Sequence, residues 1–131
     1  MANPNITAVT SILGSTTYYT PSGTSAVVLL PNAAASGQVF KINQIVASNV
    51  NGSSAVNATV AIYSNGGVAQ GSAPAGGTAY PIVSTVSVPA SASLIVVDKT
   101  TAIYLMEGHS ISITSGTSSG ITYTISYEVI T

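Results

Sequence analysis

Apolar and polar residues alternate strictly near the C-terminus, where Ile121, Tyr123, Ile125, Tyr127 and Val129 are spaced by Thr122, Thr124, Ser126 and Glu128. A period of two over that length predicts a strand with one buried and one polar face. The preceding stretch His109–Ser115 has the same character, and a glycine-bounded turn at residues 116–120 separates the two. Turn residues cut the rest of the chain into pieces of similar length, and about eight strands result.

The remaining candidate strands are residues 6–13, 25–30, 38–49, Val56–Tyr63, 81–88, Ser93–Val97 and 102–106. Gly14 reads as a break after the first, and Pro31-Asn32 as the end of the second. In residues 38–49 the apolar phase changes between Ile42 and Ile45, which predicts a β-bulge near Asn43-Gln44. Asn51-Gly52 then reads as a tight turn that makes a hairpin with Val56–Tyr63. Ser93–Val97 does not alternate, so it is expected to be buried on both sides, by the sandwich or by a neighbouring subunit. Glu107-Gly108 reads as a two-residue connection. Residues 64–78 hold five glycines and no periodicity, and predict a long loop that is mobile until a partner orders it.

No helical periodicity or internal repeat is present. The pattern predicts an all-β, single-domain, antiparallel two-sheet β-sandwich of jelly-roll type, with an open barrel as the competing architecture. The domain spans residues 1–131, with 1–24 as an extended or docking N-terminal segment. Composition agrees: Val, Ile and Thr supply 44 of 131 residues, and these β-branched side chains suit a pleated sheet.

Charge narrows the functional classes. Asp, Glu, Lys and Arg make up 4% of the chain and the formal net charge is −1, so the cationic surface that binds nucleic acid or anionic lipid is missing. Neither nucleic acid nor membrane is expected as a partner. The N-terminus has no basic segment followed by an apolar run, which predicts synthesis in the host cytoplasm. A surface with so few charges is poorly protected from association, and it predicts a closed homo-oligomer, a trimer by expectation.

Candidate chemistry is sparse. His109 is the single histidine and there is no cysteine. The one G-x-S-x-G match, GTSSG at residues 116–120, lies in a turn between two strands and not in the strand-to-helix turn of a nucleophile elbow, so His109 reads as a solvated turn residue and the chain as a non-enzyme. Asp98, Glu107 and Glu128 do not form a metal-ligand or paired-carboxylate pattern, with Asp98-Lys99 read as a charged turn and Glu128 as a surface charge. The glycines of residues 64–78 lack the G-K-[ST] ending of a phosphate loop. Neither catalytic residue, metal nor cofactor is expected. The tyrosines remain as amphipathic contact residues, with Tyr18, Tyr19, Tyr63, Tyr80 and Tyr104 the interface candidates.

Four segments carry a family resemblance: VFKINQIVASNVNG (residues 39–52), ATVAIY (58–63), VPASASLIVVDKTTAIYLMEGHSISITS (88–115) and YTISYEVI (123–130). Over residues 38–131 the chain resembles the small all-β virion proteins of tailed phages of marine bacteria, cyanophages especially. His109 departs from that pattern, in which an acidic residue usually follows the glutamate-glycine turn. The resemblance implies a non-enzymatic virion structural protein, a capsid decoration or cement protein whose partners are copies of itself and major capsid or tail proteins. The alternative is a carbohydrate- or receptor-binding head of a tail or head fibre. The turn at residues 105–111 is similar, at the level of fold only, to the trimeric jelly rolls of the C1q and tumour-necrosis-factor type.

Overall fold

The computed structural model describes residues 5–131. Its strands are β1 (Ile12–Tyr19), β2 (Val27–Asn32), β3 (Val39–Asn49), β4 (Val56–Tyr63), β5 (Ala79–Val88), β6 (Ser93–Val97), β7 (Ile103–Leu105), β8 (His109–Ser115) and β9 (Ile121–Ile130). A first sheet has the order β1-β9-β3-β6, with β7 also paired to β3, and a second has the order β2-β8-β4-β5. All pairings are antiparallel. If β6 and β7 count as one strand broken by the 3-10 turn Lys99–Thr101, the chain crosses between sheets in nested Greek keys and pairs its ends, β1 with β9 and β2 with β8. This is the path of a jelly roll, and the protein is an all-β two-sheet sandwich.

The core lies between the sheets. Leu29, Ile111, Ile113 and Val60 of the second sheet meet Ile42, Ile45, Ile121, Tyr123 and Ile125 of the first, all of them fully buried. Alternation along β9 places Tyr123 and Ile125 inward as the sequence predicts, and the register shift between Ile42 and Gln44 places the β3 bulge at Asn43.

Several expectations need correction. β3 and β4 do not form a hairpin, because each must bury an apolar face and they do so from opposite sheets across the core. The first strand is Ile12–Tyr19, not residues 6–13: an edge strand tolerates Gly14, where an added Cβ would meet nothing within 4 Å. Residues 12–19 of the expected N-terminal docking segment are therefore part of the sandwich, while residues 1–4 lie outside the described residues. β2 continues through Pro31-Asn32, since an edge position does not require the missing N–H. The sandwich does not bury β6 on both sides: Leu94 packs on the core, but Ile95 is 58% exposed within one chain.

Residues 64–78 are also fastened by the fold's own groups. The segment leaves β4, passes the ends of β8 and β2 at Gly66, and runs along the free edge of β2. There the Gly71 amide donates to the Val28 carbonyl (2.8 Å) and the Val28 amide to the Ser72 carbonyl (2.9 Å). A Cβ at Gly66 would lie 2.0 Å from the Asn32 carbonyl oxygen, so the close passage requires glycine. The Gln70 amide spans the seam between the sheets, donating to Thr17 Oγ1 (3.0 Å) and to the Leu29 carbonyl (2.9 Å). The return to β5 is held by Asn65 Nδ2 donating to the Ala75 carbonyl (2.7 Å) and the Tyr63 hydroxyl donating to the Gly77 carbonyl (2.9 Å).

Candidate contact surface

The outer face of the first sheet is built from the solvent-side residues of β1, β9, β3 and β6, and strand register orders them into cross-strand rows. One row is hydroxylic: Thr20 and Thr122 share a hydrogen bond of 2.7 Å, and Ser48 and Ser93 one of 3.1 Å. The next runs Tyr18, Thr124, Val46, Ile95, with Tyr18 70% exposed at one end and Ile95 exposed at the other. Thr16 and Ser126 (3.0 Å) begin the third. In the fourth, Lys41 Nζ and Glu128 Oε2 are 4.0 Å apart beside Tyr104. Glu128 is thus a surface charge, as the sequence predicts, in a pair of marginal energetic value.

Around the edge from this face, residues of β4 and β5 in the second sheet and of β7 in the first line a groove of about 220 Å³. Its walls are Ile62, Tyr80, Tyr104, Leu105, Met106 and His109. Cross-strand pairing with Ile62 sets Tyr80 on one wall, and pairing with Lys41 sets Tyr104 on the other. Tyr80 is 62% and Tyr104 47% exposed, and Met106 is exposed beside them.

His109 sits where the chain enters β8 after Gly108, whose φ of +77° favours glycine. The ring is partly buried in the groove wall, not solvated at a turn tip. Its Nδ1 lies 3.1 Å from the Glu107 carbonyl oxygen. A carbonyl only accepts, so Nδ1 carries the proton and Nε2 of the neutral ring is an acceptor.

Asp98 caps the 3-10 turn by accepting from the Thr100 amide (2.9 Å) and hydroxyl (2.6 Å), and the Thr100 side-chain bond is the main cause of its lowered carboxyl pKa. Among the described residues, no group of three or more His, Cys, Asp and Glu is placed to hold a metal ion. Among the described residues, no helix is long and apolar enough to cross a membrane.

Of the five tyrosines singled out from sequence, Tyr80 and Tyr104 share the groove and Tyr18 stands on the outer sheet face. The other two are less exposed. Tyr63 is 8% exposed, its hydroxyl bonded to Gly77, and Tyr19 packs against the core with its ring beside Gly71. Ile95 and Met106 belong to the exposed set and were not identified from sequence. Ile95 lies in an apolar run that looks buried until β6 is known to be an edge strand, whereas the position of Met106 beside the glycine turn was an available signal.

No protein family, curated protein or solved structure matches this chain.

Proposed function

We propose that the protein is a non-enzymatic structural component of a phage virion, a decoration or cement protein that coats the particle through contacts with copies of itself and with capsid or tail proteins. The observation that carries this reading is the exposure of Tyr18, Tyr80, Ile95, Tyr104 and Met106 on a chain with almost no charge. Exposed apolar side chains mark contact surfaces, here on the outer face of the first sheet (Tyr18, Ile95) and in the groove (Tyr80, Tyr104, Met106), and scarce charge leaves little electrostatic opposition to close approach. The sandwich supplies a stiff support for such contacts, and the resemblance over residues 38–131 supplies the setting. Quantitative mass spectrometry of purified particles tests it. Copies in the hundreds indicate a shell coat, and complete absence from the particle rejects the reading. Tyr80→Ala combined with Tyr104→Ala should keep the fold and weaken binding to particles stripped of the protein.

A second reading, the carbohydrate- or receptor-binding head of a fibre, is favoured by the groove itself. Two tyrosine rings and the Nε2 acceptor of His109 suit a sugar with an apolar face and a hydroxyl rim. A glycan array separates the two: a coat protein binds nothing there, and a fibre head binds a defined subset through Tyr80 and Tyr104.

A further inference from the structure

We propose that the free edge of β1 is a self-pairing interface, at which β1 of a second copy adds antiparallel across a two-fold axis and joins the two first sheets into one. Thr131 donates from its amide to the Ser11 carbonyl (3.0 Å), and Ser11 donates back to the Thr131 carbonyl (3.3 Å), so the two make a hydrogen-bonded antiparallel pair. Such pairs alternate along a ladder, and the register Ile12↔Ile130 to Tyr19↔Tyr123 is unbroken. The odd-numbered residues Leu13, Ser15, Thr17 and Tyr19 therefore direct their amides and carbonyls at β9. Those of Ile12, Gly14, Thr16 and Tyr18 point the other way, where no strand or loop among the described residues bonds to them.

The other sheet edges are each obstructed. β2 is covered by Gly71 and Ser72. β5 contains Pro81, two register shifts and Thr85 in the left-handed region at φ +48°. The β6 and β7 edge is short, shifted at Ile45/Val46 and interrupted by the charged Asp98-Lys99 turn. These are the usual means by which sheets avoid edge-to-edge association. β1 is freer: its eight residues, ILGSTTYY, carry no charge, no proline and no bulge, most are exposed, and the glycine-rich segment reaches it at the side chains of Thr17 and Tyr19 and not at the outward amides and carbonyls.

A second copy fits this edge by its own sequence. With the two-fold at Ser15, Ile12 faces Tyr18 and Gly14 faces Thr16, so every outward amide and carbonyl of these four residues finds a partner. The exposed Ile12 and Tyr18 then cover each other on the outer face. The ring of Tyr18 from the second copy comes beside Gly14, where the missing side chain leaves a hollow bounded by Thr16, Asn43 and Glu128. Shifting the axis to Thr16 would oppose Tyr18 to Gly14 and push Ile12 beyond the paired strand. The register at Ser15 uses the whole edge.

This inference does not depend on residence in a virion, and a two-fold contact closes a dimer, unlike the trimer expected from composition. Native mass spectrometry and light scattering of the full chain should give the mass of two chains. Thr16→Pro removes an edge amide that β9 does not use, and should yield one chain with unchanged circular dichroism. Ser15→Cys introduces the protein's single thiol at the non-hydrogen-bonded pair on the axis, where Cα atoms approach to about 4.5 Å. It should form a disulfide-linked dimer under mild oxidation, whereas Ser53→Cys in an exposed turn should not. A wild-type monomer at micromolar concentration overturns the proposal. So does a trimer or dimer whose mass survives Thr16→Pro, or a Ser15→Cys variant that crosslinks no faster than Ser53→Cys.

Discussion

Asn49, at the end of β3 in the first sheet, donates from its side-chain amide to the carbonyl of Val88, at the end of β5 in the second, over 2.9 Å. The same amide donates to the Ser54 carbonyl (3.0 Å), while its oxygen accepts from the Asn51 amide (2.8 Å). Asn32 of the second sheet mirrors this, donating to the Leu105 carbonyl of the first (3.1 Å) and to the Gln38 carbonyl (3.0 Å) and accepting from Ser36 (2.7 Å). Each sheet sends one buried, fully bonded asparagine to the other, so the sandwich is pinned by polar contacts as well as by its core.

Asn49→Ala should destabilise the protein by about 1–3 kcal/mol, because it strands the buried carbonyl of Val88. Asn51→Ala, in the exposed turn beside it, should cost about 1 kcal/mol or less. Urea unfolding of both variants checks the order. Equal losses would mean that the contact between sheets contributes no more than the turn.

Tyr123 makes a third polar tie between the sheets: its hydroxyl donates to the Thr114 carbonyl of β8 and accepts from the Thr59 amide of β4 (3.3 Å). Burial pushes its phenol from 10.0 up to about 12. The folded value lies above the unfolded one, so the neutral phenol's contribution is complete below about pH 10 and is lost as pH rises to about 12. Tyr123→Phe should lower stability at pH 7 by about 1–3 kcal/mol and flatten the fall in stability between those limits, as read from denaturation at stepped pH.

These ties bear on how far the sequence could be read. Alternation around Tyr123 and the phase change at Asn43 follow from side-chain chemistry within one strand, so both were legible. Sheet membership was not: an Asn-Gly pair after an alternating strand has the same local appearance whether the chain turns back or crosses the core. What decides it at Asn51 is the requirement that β3 and β4 bury apolar faces against each other, which is a property of the whole fold. The ties made by Asn32, which reads as the end of a strand, and by Asn49, which reads as the last residue of one, are hidden for the same reason, since their partners are distant in sequence. Exposure of Tyr18 and Tyr80 against burial of Tyr63 likewise depends on which strands are edges.

The glycine-rich segment leads to an expectation opposite to that from composition alone. Composition predicts that shortening residues 64–78 leaves stability unaltered, since loop closure depends weakly on length. The hydrogen bonds of Gly71, Ser72 and Gln70 predict that the same deletion uncovers the β2 edge and opens the seam to β1. The shortened protein should unfold at lower temperature and scatter light on standing, because an uncovered edge pairs with other chains. Gln70→Ala, which breaks the bridge and keeps the cover, should lower the thermal midpoint without aggregation. A deletion variant as stable and as soluble as the parent would show that the edge needs no cover.

His109 separates the structural part of the groove from its binding part. Its Nδ1–H donates to the Glu107 carbonyl and so holds the turn through Gly108 that delivers the chain from β7 to β8. Asparagine places an N–H donor near the position of Nδ1, whereas glutamine reproduces the reach of Nε2. If the ring serves the turn, His109→Asn should be close to wild type in stability, while His109→Ala and His109→Gln should each lose about 0.5–1.5 kcal/mol, the net value of one hydrogen bond. None of the three should alter binding to stripped particles if the groove makes its contacts through Tyr80 and Tyr104. Thermal unfolding and particle binding, measured on the same preparations, decide between the roles. A His109→Asn variant that is fully stable yet fails to bind stripped particles, with binding restored in His109→Gln, would assign Nε2 to the particle contact beside Tyr80 and Tyr104.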